Sequence, residues 1–263
     1  LVFSQSGARF GTLESTVPVT LVSATYGDSV VDSPGLVKNV LSKESFTYGS
    51  SDEDVATVDA LSGVVTIIGA GSTDITASFA GNDNYKPGEI SYTLIVKRKT
   101  VTVISGITAS NKTYDGSTSA TLACGKAVIS GLVGKDALKV TANGSFTDAN
   151  VGTGKDVTIS DIALKGAAVS NYRIAASGNQ SSTTANITAK EATLSWSNTS
   201  FTYDGQSHVP TATVSNLVGS DACNVTVDGS QTNVGTYTAT ATALSNANYK
   251  LPTAVTQSFT ISK

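Results

Sequence analysis

Thr113-Tyr114-Asp115-Gly116 recurs as Thr202-Tyr203-Asp204-Gly205. Four further blocks follow each copy in the same order. Gly131-Leu132-Val133-Gly134-Lys135-Asp136-Ala137 returns as Asn216-Leu217-Val218-Gly219-Ser220-Asp221-Ala222. Val140-Thr141-Ala142-Asn143-Gly144-Ser145 returns as Val225-Thr226-Val227-Asp228-Gly229-Ser230. Asn150-Val151-Gly152 corresponds to Asn233-Val234-Gly235, and Ser170-Asn171-Tyr172-Arg173-Ile174 to Ala247-Asn248-Tyr249-Lys250-Leu251. Ordered self-similarity of this kind marks an internal repeat, and it decides the architecture before any single element is read. The N-terminal third shares part of the pattern. Asn82-Asp83-Asn84-Tyr85-Lys86 resembles Asn246-Ala247-Asn248-Tyr249-Lys250, and Thr25-Tyr26-Gly27-Asp28 is a permuted echo of Thr-Tyr-Asp-Gly.

Each repeat reads as antiparallel β-structure. Period-two alternation runs through Ser195-Trp196-Ser197, Ala212-Thr213-Val214 and Thr236-Tyr237-Thr238-Ala239-Thr240-Ala241. One face is apolar and the other is Thr and Ser, as in a half-solvated sheet. Every Asn-Tyr precedes a final alternating strand: Ile90–Val96, Thr184–Thr188 and Gln257–Ile261. Asn143-Gly144 and Asp228-Gly229 read as two-residue hairpin turns, because both central positions tolerate positive φ. Short strands between regularly spaced turn signals predict a sandwich or barrel. The recurrent tyrosines Tyr85, Tyr172 and Tyr249 are candidates for tyrosine corners, in which a hydroxyl ties a crossover to backbone.

Composition narrows the function classes. The chain has 263 residues, long enough for two or three sandwich domains. Hydrophobic residues make up 40%, enough for cores, while charged residues make up 14%, below the usual ~25%. Net charge is −3, and the one basic run, Lys97-Arg98-Lys99, reads as a solvated strand end or domain junction. With no phosphate-tracking surface, nucleic acid is not an expected partner. No window approaches the ~18 apolar residues of a membrane-spanning helix, so no membrane insertion is expected. The first residues lack a signal-peptide pattern, and the chain has no Met at all, as expected of an internal stretch of a longer protein. Cys124 and Cys223 fall at non-equivalent positions in different repeats, so they read as two small half-buried thiols rather than a disulfide.

Particular residues now point to known families. Tyr48-Gly49-Ser50-Ser51-Asp52-Glu53-Asp54-Val55-Ala56-Thr57-Val58-Asp59, continued by Ser62-Gly63-Val64-Val65-Thr66-Ile67-Ile68-Gly69-Ala70-Gly71-Ser72-Thr73-Asp74-Ile75-Thr76-Ala77, resembles the group-two bacterial Ig-like domain over most of residues 12–97. Residues 100–190, with Thr113-Tyr114-Asp115-Gly116, look like the YDG-type repeat of bacterial surface proteins. Residues 191–263, with Phe201-Thr202-Tyr203-Asp204-Gly205 and Asn248-Tyr249, look like the related MBG-type repeat. The expected architecture is all-β: three tandem immunoglobulin-like β-sandwich domains in an elongated array, at residues 1–97, 98–190 and 191–263. Residues 1–11 have no repeat counterpart and read either as a tag or as part of a preceding segment. The resemblance implies a large exported, adhesin-like protein, extracellular at the bacterial cell surface or secreted. It carries no shared catalytic residues.

The residues themselves supply little chemistry. His208, the one histidine, precedes Val209-Pro210 and reads as structural. A nucleophilic triad would have to use it, and a zinc site needs several His or Cys ligands. Asp52-Glu53-Asp54 and Asn82-Asp83-Asn84 are oxygen-rich, yet neither has the spacing of a calcium loop, and turns are rich in such residues. Trp196 in its alternating strand reads as core, and Tyr114 and Tyr203 as packing against their own domains. No catalytic, cofactor-binding or metal-ligating residue is therefore assigned. The leading expectation is a non-catalytic structural or adhesive stalk, monomeric, whose partners are neighbouring domains of a longer chain. The alternatives are a module that binds host glycoprotein or polysaccharide, and an accessory segment of a secreted polysaccharide-degrading enzyme.

Overall fold

The computed structural model describes residues 21–29, 46–83 and 86–263. Those residues form strands and turns, with a single 3-10 turn at Val169–Asn171 and no α-helix. The chain divides into two compact units. The first comprises Leu1–Gly106, Ala127–Thr141 and Ile162–Gln180, and the second Ile107–Lys126, Ala142–Asp161 and Ser181–Lys263. Residues 98–190 thus contribute to both.

In the first unit, strands Leu21–Thr25, Gly88–Lys97, Gly71–Phe79 and Thr47–Ser50 lie side by side in that order. Leu21–Thr25 runs parallel to Gly88–Lys97, and Gly71–Phe79 runs antiparallel to it. The alternation expected from sequence sets the faces: Thr73, Ile75, Ala77 and Phe79 point inward along one strand, and Tyr92, Leu94 and Val96 along its neighbour. Ile75, Tyr92, Leu94 and Val96 pack with Ala24, Val55, Ala56 and Val65 into one apolar core. A separate sheet places Lys99–Ser105 between Val128–Ser130 and Tyr172–Ile174. Only Arg98 separates the last strand of the first repeat from the first strand of the second. Lys97-Arg98-Lys99 thus includes a strand end, one of the two readings that the sequence offers.

The second unit repeats the logic. Ser182–Thr188 lies between Gly152–Lys165 and Lys112–Thr113, antiparallel to the former and parallel to the latter. Thr256–Ser262 lies between Gly235–Leu244 and Ser200–Thr202 in the same two senses. Val225–Asp228 completes that sheet, and Leu194–Ser197 pairs with Thr211–Val214. Trp196, Phe201 and Tyr237 pack on a small core of Ala239, Phe259 and Ile261. Trp196 is therefore a core residue, as its pattern indicates. A larger core gathers Tyr114, Phe146, Val157 and Ile187 from the second repeat with Val214, Cys223 and Tyr249 from the third. Cys124 and Cys223 are both free.

Two turn expectations need correction. Asn143-Gly144 is no hairpin turn, because both residues lie inside the continuous strand Lys139–Phe146. Gly144 stands opposite Ala120, and a β-carbon on it would lie 2.8 Å from Leu122 Cδ2 and 2.9 Å from the Ala120 carbonyl oxygen. Glycine is needed there for the close approach of a neighbouring strand rather than for a turn. At the equivalent Asp228-Gly229 the strand does end, at Asp228, and Gly229 takes φ +102°. The connection, however, continues to Gly235 and is held by backbone hydrogen bonds in both directions between His208 and Gln231. It is a longer loop, not a two-residue turn.

Candidate functional site: two tyrosine–aspartate clamps

The repeated blocks meet in space at two equivalent places, one in each unit. In the second unit the Thr-Tyr-Asp-Gly turn begins where Tyr114 N–H donates to the Thr188 carbonyl at 2.8 Å, extending the parallel pairing of the strand before it. Asp115 shapes the turn by accepting Ser117 N–H at 2.9 Å and Lys112 Nζ at 2.8 Å. Gly116 takes φ +76°. The Tyr114 hydroxyl then donates to Asp221 Oδ2 at 2.9 Å, and the Tyr249 hydroxyl donates to the same oxygen at 2.8 Å. The Tyr249 hydroxyl also accepts Val218 N–H at 2.7 Å. Asp221 sits on a tight turn in which its own N–H donates to the Val218 carbonyl at 3.0 Å. The two tyrosine rings meet edge to face with centroids 5.7 Å apart, a favoured aromatic geometry.

The first unit carries the same assembly. Tyr26 N–H donates to the Lys97 carbonyl at 2.9 Å. The Tyr26 and Tyr172 hydroxyls donate to Asp136 Oδ2 at 2.9 and 2.5 Å, and Val133 N–H donates to the Tyr172 hydroxyl at 2.9 Å. The Asp136 N–H donates to the Val133 carbonyl at 3.0 Å, and the Tyr26 and Tyr172 rings lie edge to face at 5.5 Å. Each clamp therefore takes one tyrosine from the end of one repeat. The aspartate and the second tyrosine come from the repeat that follows.

Two further contacts recur. Val133 packs where a β-carbon on Gly27 would lie, 2.4 Å from Val133 Cγ2, and Val218 packs over Gly116 at 2.8 Å in the same sense. Both glycines also have positive φ, +89° and +76°, so backbone and packing alike require glycine. The Asn of each Asn-Tyr pair reaches back to the earlier repeat: Asn171 Oδ1 accepts Ala70 N–H at 2.8 Å, and Asn248 Oδ1 accepts Val151 N–H at 2.9 Å. Asn248 Nδ2 also donates to Asn150 Oδ1 at 3.0 Å.

The electrostatics follow from burial beside a carboxylate. Burial first, then the hydrogen bond to Asp136, pushes the Tyr172 hydroxyl up to about 12. Tyr26 is raised by the same two causes. The hydrogen bond to Asp221 is the main cause raising Tyr114, and burial that raising Tyr249. All four hydroxyls stay protonated donors at neutral pH, which is what a structural clamp requires and what a tyrosine acting as a base would not tolerate.

The tyrosine-corner expectation is met at Tyr172 and Tyr249, which are buried with a backbone partner each. Tyr85 lies outside the described residues. Tyr114 packs with its own repeat, as expected, and with the third repeat as well. Its hydroxyl and ring edge meet Asp221 and Tyr249 of the third repeat. Tyr203 departs from the expectation and stands 50% exposed. Asp136 and Asp221 carried no role in the sequence reading, although both lie in the matched block Gly131–Ala137 and Asn216–Ala222. The signal was the repetition of that block together with Tyr-Asp-Gly and Asn-Tyr. His208 stacks on Phe201 at 4.6 Å and pairs with Asp204 Oδ1 at 2.8 Å, a structural arrangement. Asp52 holds its own turn by accepting Asp54 N–H at 3.0 Å. Among the described residues no group of three or more His, Cys, Asp or Glu is placed to hold a metal ion.

Comparison with known proteins agrees with this architecture. Residues 97–184 match the YDG domain, and residues 30–81 match the intimin, immunoglobulin-like domain. The described residues are all-β, in multiple sheets that resemble tandem Ig-like domains. A search of curated proteins finds no match. Among solved structures, Drosophila N-cadherin EC1-3 is similar over 93% of this chain and 96% of that one, at 8% identity and a TM-score of 0.31. Zebrafish RET cadherin-like domains 1 to 4 are similar over 82% of this chain and 65% of that one, at 10% identity and a TM-score of 0.20.

Proposed function

We propose that this chain is a non-catalytic structural segment of an exported bacterial surface protein, a stalk whose successive repeats are locked end to start. The observation that carries the reading is the clamp itself, built twice from the same residue types. A repeat array that only needed to be connected would not join two tyrosines to one carboxylate at each junction. The short connections add to this. Arg98 and Ala189 are the only residues between the strands that end one repeat and begin the next, which leaves little linker to act as a hinge. In each repeat an early strand also pairs in parallel with the last strand. Pulling such a repeat by its ends loads those hydrogen bonds together, in shear.

On this reading the repeats are a group-two Ig-like domain within 1–97, a YDG-type domain at 98–190 and an MBG-type domain at 191–263. The protein is extracellular at the bacterial cell surface or secreted, as the intimin-like and YDG matches support. Its partners are neighbouring domains of a longer chain.

Single-molecule pulling and an immobilised glycan and host-glycoprotein array test the proposal together. The stalk predicts discrete unfolding events and no specific array signal. A specific ligand, lost on Tyr203→Ala with the fold intact, would make the chain a binding module instead. Release or breakdown of an arrayed polysaccharide by the intact protein would point to an accessory segment of an enzyme.

A further inference from the structure

The third repeat ends in the same register as the first two, and its end is open. In the first repeat Val96 lies between Ala24 and Gly71, in the second Ile187 lies between Lys112 and Gly152, and in the third Ile261 lies between Phe201 and Gly235. This superposes Tyr26, Tyr114 and Tyr203 as the residues that follow the parallel strand. It also superposes Ala70, Val151 and Val234 as the residues that precede the antiparallel one. The backbone anchor agrees: Tyr203 N–H donates to the Ser262 carbonyl at 2.8 Å, as Tyr114 N–H does to Thr188. The turn agrees as well, since Asp204 Oδ1 accepts Gln206 N–H at 2.8 Å and Gly205 takes φ +76°, the value at Gly116.

What differs is the occupancy. Tyr114 is 7% exposed and Tyr203 is 50%. A β-carbon on Gly116 would strike Val218, whereas a β-carbon on Gly205 meets nothing within 4 Å. Val234 is 45% exposed, while its counterpart Val151 is half-buried and bonded to Asn248.

We propose that Tyr203, Gly205 and Val234 form a docking surface for one further repeat of this class, joined in tandem. The occupant presents a Leu-Val-Gly-x-Asp turn and an Asn-Tyr pair. Its aspartate accepts the Tyr203 hydroxyl, its valine fills the space over Gly205, and its asparagine receives Val234 N–H. A second copy of this chain does not fit the role. Its Asp136 and Asp221 already accept Tyr26 and Tyr114, and Val133 and Val218 already cover Gly27 and Gly116. The inference rests on the clamp geometry and not on the stalk reading, so either can fail without the other.

The test is an extended chain. Residues 1–263 are followed directly by a second copy of residues 190–263, which makes Lys263 the counterpart of Ala189. Tyr203→Phe in the appended copy leaves one Tyr203 to report. Hydroxyl-radical footprinting read by mass spectrometry should show Tyr203 reactivity falling about sevenfold, the ratio of 50% to 7% exposure. Gly205→Ala in the inner repeat meets open space in the parent chain but would occupy the valine's place in the extended one. It should restore the reactivity in the extended chain and leave the parent unchanged. Unchanged Tyr203 reactivity beside an appended repeat that resists proteolysis as a folded domain overturns the proposal. So does an appended repeat that fails to fold there. Concentration-dependent dimerisation of the parent, abolished by Tyr203→Ala, would overturn it in favour of a second copy.

Discussion

Asp221 accepts two tyrosine hydroxyls on one oxygen, and Asp136 does the same. Replacing Asp221 with Ala leaves both hydroxyls without their acceptor in a buried place. An unsatisfied buried donor costs about 1–3 kcal/mol, and because both hydrogen bonds are part-buried, Asp221→Ala should lower unfolding free energy within that range in urea denaturation. Tyr114→Phe, which removes one donor and keeps the ring, should cost less. The pH dependence has a definite sign. The Tyr172 hydroxyl is raised from 10.0 to about 12 in the folded chain. The stabilisation it reports is complete below pH 10 and is lost as pH rises through about 12. Alkaline titration followed at the tyrosinate absorbance should show a tyrosine ionising near pH 12 that Tyr172→Phe removes, with stability falling over the same interval. The glycines separate packing from backbone. Gly27→Ala and Gly116→Ala both drive a methyl into valine and hold a positive φ, whereas Gly205→Ala pays only the backbone part, about 1 kcal/mol. Thermal denaturation should rank Gly205→Ala as the mildest of the three.

At the scale of strands, the parallel pairing of an early with a late strand recurs in all three repeats. It places each Tyr turn and each Ala70, Val151 or Val234 at one end of a sheet. The strand Lys139–Phe146 offers a test in which propensity and packing disagree. Val is a better strand former than Gly, so propensity alone makes Gly144→Val stabilising. Because Leu122 and the Ala120 carbonyl lie under 3.0 Å from a β-carbon there, overpacking should dominate and destabilise by about 1–3 kcal/mol. A raised melting temperature would show that the strand can move aside.

For the molecule as a whole, the two clamps belong to different compact units and share no residue. The losses from Tyr26→Phe and Tyr114→Phe should therefore add to within about 0.5 kcal/mol in a double-mutant cycle. A larger coupling energy would mean that the junctions communicate. Chelation should leave the melting temperature unchanged, since the acidic turn Asp52-Glu53-Asp54 closes on its own hydrogen bonds, Asp54 N–H to the Asp52 carboxylate and Val55 and Ala56 N–H to the Asp52 carbonyl.

Much of the fold is legible in the chain itself. Alternation of apolar with Thr and Ser determines which residues form the strands and which side faces the core, because that choice depends on period alone. Repetition of Tyr-Asp-Gly, Val-Gly-x-Asp and Asn-Tyr marks out the repeats and the residues that matter. Sequence could not say that these blocks answer one another across a junction. Tyr114 finds Asp221 from 107 residues away, and a hydrogen bond at that separation has no local signature. The same limit explains Asn143-Gly144. The dipeptide favours a turn in isolation, but pairing with Ser119–Ala120 keeps it extended. Tertiary structure alone decided that Tyr114 is buried in a clamp while Tyr203, in the same Thr-Tyr-Asp-Gly turn, stands half exposed to solvent. The reason is physical: burial of that side chain depends on whether a following repeat lies against it.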